Sequence, residues 1–302
     1  MNQVIRVQQL SKDFGDIKAV RDLSFSVGEG QVYGFLGQNG AGKSTTIRML
    51  LTLIEPSSGT IEIFGMNLKK HRKEILRRTG AIIEKPDLYK YLTAKENLRI
   101  FSRLSGVKVP DKKIMDQLAL VGLAERADSK VKTYSQGMKQ RLGLATALVH
   151  DPALILLDEP TNGLDPQGIA DMRNLILHLS RDLGKTLLVS SHLLSEMEMV
   201  ADHMLIIHKG KKVVEGRVTE LLNPEQSIVE LLTPDIPATL VFLRQSGWAA
   251  TLKELVNGTI RLEFNKQQIP ELNRQLVEKG IPVLSLRPLN SLEDYFLSLT
   301  KE

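Results

Sequence analysis

The sequence predicts an α/β fold, and three observations carry that prediction. An apolar run, "QVYGFL" (31–36), enters a glycine-rich turn, "GQNGAGKST" (37–45), and leaves it as "TTIRMLLTLIE" (45–55), apolar at helical spacing and stopped by Pro56. Two further apolar runs, "ALILLDEP" (153–160) and "KTLLVSSH" (185–192), flank a helical stretch at 166–182 and read as buried strands. A β-α-β-β-α-β succession then occupies the C-terminal part and predicts a small ferredoxin-like α+β domain.

Taken in order, the chain opens with short alternating runs, "VIRVQQL", "LSFSV" and later "TIEIFG", separated by turns such as "VGEG". These read as hairpins feeding an antiparallel sheet. From 66 to about 150 the pattern is more polar and mostly helical, with a helical subdomain expected at about 85–150. "HMLIIHKGKKVVEG" (203–216) reads as a hairpin turning at Lys209-Gly210. A boundary near Asn223-Pro224 divides the chain into domains at 1–222 and 223–302. The second contains "SIVELLT", a helical "ATLVFLRQSG", "ATLKELV", "TIRLEF", a helical "QIPELNRQLVEKG" and "VLSLRPL". The amphipathic "SLEDYFLSLT" closes it, and no internal repeat is visible.

Composition narrows the function classes. The 302 residues suffice for about two domains, and 42% apolar content supplies real cores. With no cysteine, neither disulfides nor thiolate metal sites are available. The N-terminus lacks the layout of a signal peptide, and no apolar run approaches the roughly 20 residues that span a bilayer, so a soluble protein or subunit is expected. The net charge of +5 is uneven: residues 1–220 hold 32 Lys and Arg against 25 Asp and Glu, and residues 221–302 hold 8 against 10. The densest basic run, "KKHRKEILRR" (69–78), suits nucleic acid or an anionic membrane face, but on charge alone a solvated helix face is the preferred reading.

The chemistry concentrates in three places. In the turn formed by Gly37, Gln38, Asn39, Gly40, Ala41, Gly42, Lys43, Ser44 and Thr45, backbone N–H groups converge on phosphate oxygens, helped by the positive end of the following helix. Lys43 is placed to reach the β- and γ-phosphates, and Ser44 to put its hydroxyl on Mg²⁺. Asp158 ends a buried strand where it can bind Mg²⁺ directly or through water. Glu159 can orient and deprotonate an attacking water. His192 ends another strand at the same expected sheet edge and can contact a γ-phosphate or hold the water. The remaining histidines, His71, His150, His178, His203 and His208, show no metal-ligand spacing.

The ordered motifs "GQNGAGKST", "YSQGMKQRLGLA", "LILLDEP", "NGLDP" and "SSH" resemble the nucleotide-binding subunits of ABC transporters over about residues 2–216. The resemblance implies that Ser135, Gln136 and Gly137 form a signature turn that closes over nucleotide held by a partner subunit. It also implies that Asp165 belongs to a loop joining the two sites across the dimer. Tyr134, Gln136 and Met138 depart from the family's usual Leu, Gly and Gln. Phe14 matches the aromatic that stacks on adenine, and Val20 a residue beside the ribose and base; the bland alternative for Phe14 is a core aromatic. Glu84 stands where the family carries glutamine, a position implied to ligate Mg²⁺ or the water and to couple the site to a permease. The glutamate form and the long tail resemble exporters that protect bacteria against bacitracin and lantibiotics.

The expected function is therefore an ATP- and Mg²⁺-dependent ATPase subunit of an exporter. Its partners are an integral-membrane permease on a separate chain and a second copy, or a paralogue, in a head-to-tail dimer. It is expected in the cytoplasm, peripheral on the inner face of the cell membrane, and no nucleic acid is expected. The alternative is an ABC-type ATPase acting on ribosomes or DNA. Such factors usually carry two nucleotide domains or long coiled coils, and this chain has neither. A P-loop kinase is disfavoured by the signature and histidine motifs.

Overall fold

The computed structural model describes residues 2–222, 227–256 and 258–288. The segment "SLEDYFLSLT" and the Asn223-Pro224 boundary lie outside the described residues. Two compact units emerge, Met1–Val218 and Thr219–Glu302.

The first unit opens with a long hairpin, β1 (Gln3–Phe14) against β2 (Ile17–Gly28). The short opening runs are parts of these two longer strands, which register shifts allow to continue through polar residues. β3 (Val32–Leu36), buried throughout, delivers the chain to the glycine-rich turn and to α1 (Lys43–Leu50). That helix ends at Leu50, well before Pro56. Thr52 turns left-handed (φ 59°), and the N–H groups of Thr52 and Leu53 return to the carbonyls of Met49 and Arg48, which closes the helix early.

β4 (Ser58–Ile63), β5 (Met66–Asn67), α2 (Arg72–Arg77) and β6 (Thr79–Ile82) follow, so residues 66–82 are less helical than the sequence predicts. β6 pairs parallel with a later strand and is too short to show its own periodicity. The helical portion is α3 (Ala94–Leu104), α4 (Asp111–Leu120) and α5 (Gln136–Leu148). Then come β7 (Leu154–Asp158), α6 (Pro166–Arg181), β8 (Thr186–Ser191) and α7 (Leu194–Val200). β9 (His203–His208) and β10 (Lys211–Arg217) form the expected hairpin, with Lys209 and Gly210 both at positive φ (46° and 79°), as a tight two-residue turn requires.

These strands build two sheets. One is antiparallel, in the order β2-β1-β4-β5; the other runs β10-β9-β3-β8-β7-β6 and is parallel except for its β10 edge. Full burial explains the unbroken apolar runs of β3, β7 and β8. α1 contributes Ile47, Met49 and Leu50 to a core shared with Ile5, Leu10 and Leu23 of the antiparallel sheet and Phe35, Leu156 and Leu205 of the parallel one. The helix behind the glycine-rich turn is thus clamped on both sides. The C-terminal ends of β3, β7 and β8 meet at one edge, where ligands of parallel sheets bind.

After α8 (Val218–Leu222), the second unit contains β11 (Ser227–Leu232), α9 (Ile236–Gln245), β12 (Leu252–Val256), β13 (Thr259–Phe264), α10 (Ile269–Glu278) and β14 (Ser285–Pro288). The expected succession is present, in an antiparallel sheet ordered β12-β13-β11-β14. Its core packs Val229, Leu231, Ile260 and Leu262 with Leu243, Leu272 and Leu276. Trp248 meets Phe264 edge-on, with ring centroids 4.9 Å apart.

Candidate functional site

The turn at 37–42 is held from below and left open above. Gly42 takes φ 107°, and a Cβ there would lie 2.6 Å from the Ala19 carbonyl oxygen, so glycine alone fits where the turn passes β2. Val20, buried on β2, lies beside Gly42, while Gln38, Asn39 and Gly40 are exposed. The N–H of Ala41 donates to the Gln38 carbonyl, and the Ala41 carbonyl accepts from Gly210 N–H, which fixes the turn's shape. Ser44 and Thr45, half-buried, begin the helix whose first amides have no acceptor within it.

Lys43 is buried, with Nζ 2.6 Å from the Gly37 carbonyl oxygen and 3.3 Å from that of Gln38. The same ammonium lies 3.1 Å from Glu159 Oε1. That approach lacks hydrogen-bond geometry, because Oε1 has no hydrogen-bond partner, so the contact is an ion pair between a buried cation and anion. On its other side Glu159 Oε2 meets His192 Nδ1 at 2.8 Å. The structure thus brings Lys43, Glu159 and His192 together at one point.

Glu159 stands at φ 50°, a left-handed backbone that costs a non-glycine residue about 1–2 kcal/mol. Ser190 holds it there. Its hydroxyl accepts the Glu159 N–H at 2.9 Å and donates to Asp158 Oδ1 at 2.6 Å. One side chain of β8 therefore aligns both acids at the end of β7. The motif "SSH" marks His192, whereas the work of Ser190 depends on the parallel pairing of Asp158 with Ser190 across the strands.

Asp158 is fully buried, and its Oδ2 has no partner. An orphaned carboxylate oxygen of this kind is costly unless a cation or donor meets it. Among the described residues no group of three or more His, Asp or Glu is arranged to hold a metal. A magnesium ion would therefore take few protein ligands and complete its shell with phosphate and water, which is its habit at nucleotide sites. Asp158 and the Ser44 hydroxyl fit that role. Glu84 is exposed and engaged elsewhere: its Oε1 lies 2.5 Å from Arg48 on α1.

Two further groups lie apart from this point. Ser135 caps α5 by accepting the Met138 N–H at 3.2 Å, leaving its own hydroxyl hydrogen free to donate. Gln136 reaches the Asn162 carbonyl at 3.5 Å, and Gly137 follows in the first turn. Asp165 caps α6 through Gly168 N–H at 2.9 Å. Among the described residues no hydrogen bond joins 135–137 to the phosphate loop of the same chain. Tyr134 is buried and donates to the Arg126 carbonyl, so the departure from leucine is absorbed by a polar anchor. Phe14 is 47% exposed at the end of β1, with Lys12 Nζ 4.9 Å from its ring centroid, which removes the core-aromatic reading.

Comparisons with known proteins agree with this geometry. The chain matches the ABC transporter family over residues 20–162. It is 45% identical to the bacitracin transport ATP-binding protein BcrA of Bacillus licheniformis, over 99% of this chain and 98% of that protein. The chain belongs to the ABC transporter family. It is an ATP-binding, ATP-hydrolysing subunit of such a transporter. A second relative, the Nod factor export ATP-binding protein I of Ralstonia nicotianae, is 36% identical over 98% of this chain and 94% of its own length. The solved ATP-binding subunit of an ABC transporter superposes with a TM-score of 0.65 at 31% identity, covering 72% of this chain and 91% of its own. No helix among the described residues is long and apolar enough to cross a membrane.

Proposed function

We propose that this ABC subunit powers export of a peptide antibiotic of the bacitracin or lantibiotic class through a permease encoded as a separate chain. The observation that carries the ATPase chemistry is the setting of Glu159, strained in backbone, tethered by Ser190 and bracketed by Lys43 and His192. The substrate class is supported by identity along nearly the whole chain to a bacitracin transport ATP-binding protein.

In this reading the turn at 37–45 wraps the triphosphate of ATP with backbone N–H groups, and Phe14 stacks on the base beside Val20. Lys43 exchanges its carbonyl and carboxylate partners for phosphate oxygens, which frees Glu159 to accept a proton from water. His192 holds the released carboxylate or the γ-phosphate in line. Mg²⁺, held by Asp158 and Ser44, would neutralise charge on the β- and γ-phosphates when bound. The separation of Ser135, Gln136 and Gly137 from their own phosphate loop supports a head-to-tail pair with a second copy or paralogue, in which Asp165 faces the partner. Work with a permease implies a peripheral place on the cytoplasmic face of the membrane. The segment led by Glu84 and the helices α3–α5 is the permease-facing part.

Two assays test the proposal. Glu159→Gln should keep ATP binding, lower hydrolysis by at least ~100-fold and accumulate an ATP-bound dimer; near-normal turnover would remove Glu159 as the base. Co-expression of the subunit with its permease in a sensitive bacterium should raise tolerance to at least one peptide in a panel of bacitracin and lantibiotics. No rise across the panel overturns the substrate class and leaves the ATPase standing.

A further inference from the structure

We infer that Arg48 is the positioning residue for Glu84, and that this pair ties the phosphate loop to the signature turn through a continuous path within one chain. The path begins at α1, whose first residues are Lys43 and Ser44 and whose last turn carries Arg48. Arg48 donates to Glu84 Oε1 at 2.5 Å. Two residues on, the ring of Pro86 lies against α5 so closely that a Cβ on Gly143 would come within 2.4 Å of Pro86 Cβ. The opposite end of α5 is the signature turn, capped by Ser135. Two helices and two side-chain contacts thus span the distance, joined by the short irregular segment 84–86.

Electrostatics explain why a cation is needed at this point. Glu84 places a negative charge on the segment just after β6, which pairs with β7, the strand that ends in Asp158 and leads into Glu159. Arg48 supplies the opposing charge from the very helix that holds the phosphates, and so anchors the segment that an amide at 84 would leave uncharged.

The pair is also built to open. Its side chains are 37% and 62% exposed, and pairs so exposed contribute little net stability. Glu84 itself sits at φ 57°, a left-handed conformation kept by its surroundings. A modest pull on the 84–88 segment can therefore break the contact, and Pro86 conveys the movement to α5. The structural half of this inference stands without the transport reading. Its use as a link to the permease rests on that reading.

Amide hydrogen exchange on the full-length protein tests it. Arg48→Met or Glu84→Ala should each speed exchange across residues 83–93 by about two- to fivefold, the scale of one exposed ion pair. The double variant should go no further than either single one, and the reversed pair R48E/E84R should restore protection. Arg48→Lys should remain close to wild type. Unchanged exchange in Arg48→Met, or a double variant equal to the product of the singles, would overturn the inference. Because each side chain is exposed, every variant is expected to fold, and a melting curve on the same samples checks that. A negative result here leaves the Glu159 and peptide-panel assays untouched, so the two readings fail separately.

Discussion

Ser190 carries two hydrogen bonds that no other side chain among the described residues supplies, one to Asp158 and one to the backbone of Glu159. Ser190→Ala removes the hydrogen bond to Asp158 Oδ1, leaving both carboxylate oxygens without a partner, and strips the Glu159 N–H of its acceptor. The expected loss is ~1–3 kcal/mol of stability, read by denaturant titration, together with slower hydrolysis at unchanged ATP affinity. Full retention of turnover would make Ser190 a packing residue only. Phe14 gives the opposite signature, because its ring is half in water. Phe14→Ala should leave the melting temperature nearly unchanged and weaken ATP by ~1–3 kcal/mol, with Phe14→Tyr silent. Lys43, Asp158, Glu159 and His192 were legible as candidates because their chemistry is written in short contiguous motifs. Ser190 escaped because its partners are 31 and 32 positions away and meet it only through strand pairing.

Elements show the same division between local and distant information. The turn that joins β9 to β10 and the glycine-rich turn before α1 were legible, since φ is dictated by a few neighbouring residues. The early end of α1 was not, because Pro56 is the visible stop signal whereas Thr52 makes the actual cap. Nor was the alternation of charge across the second unit's sheet, where Glu230 is held by Arg261 and Arg287 and Arg261 also meets Glu254. Burial pushes the Glu230 carboxyl up, but the two guanidiniums more than offset this and leave it below its ordinary value of 4.5. A lowered carboxyl stabilises the fold above pH ~4.5 and loses that contribution as pH falls through the folded value. Trp248, the sole tryptophan, reports on this unit from its core. An acid titration of its fluorescence should show the transition of Arg261→Met displaced to higher pH, by a few tenths to about one unit. An unmoved midpoint would mean that Arg287 alone sustains Glu230.

At the scale of the whole molecule, two coverage figures bear on what the second unit is for. The solved transporter subunit matches along 91% of its own length yet covers only 72% of this chain, so more than a quarter of this chain has no counterpart in that folded subunit. The bacitracin and Nod factor relatives each cover 98% or more of this chain. A long tail is therefore shared by subunits named for different cargoes, and its presence cannot by itself select a peptide antibiotic. The two units also differ in charge, with the basic excess in the first and a slight acidic excess in the second. All the residues proposed to meet the nucleotide, from Phe14 to His192, lie in the first unit, which has its own core and its own completed sheets. A chain ending at Leu222 should therefore fold, bind ATP with wild-type affinity and lose the Trp248 signal entirely. Measured with the permease present, its antibiotic tolerance isolates the second unit's contribution: tolerance kept at the wild-type level assigns that unit no part in transport, and tolerance lost at unchanged ATP binding assigns it a part in assembly or coupling. Failure of the shortened chain to bind ATP would show instead that the nucleotide site depends on the second unit, against the independence argued here.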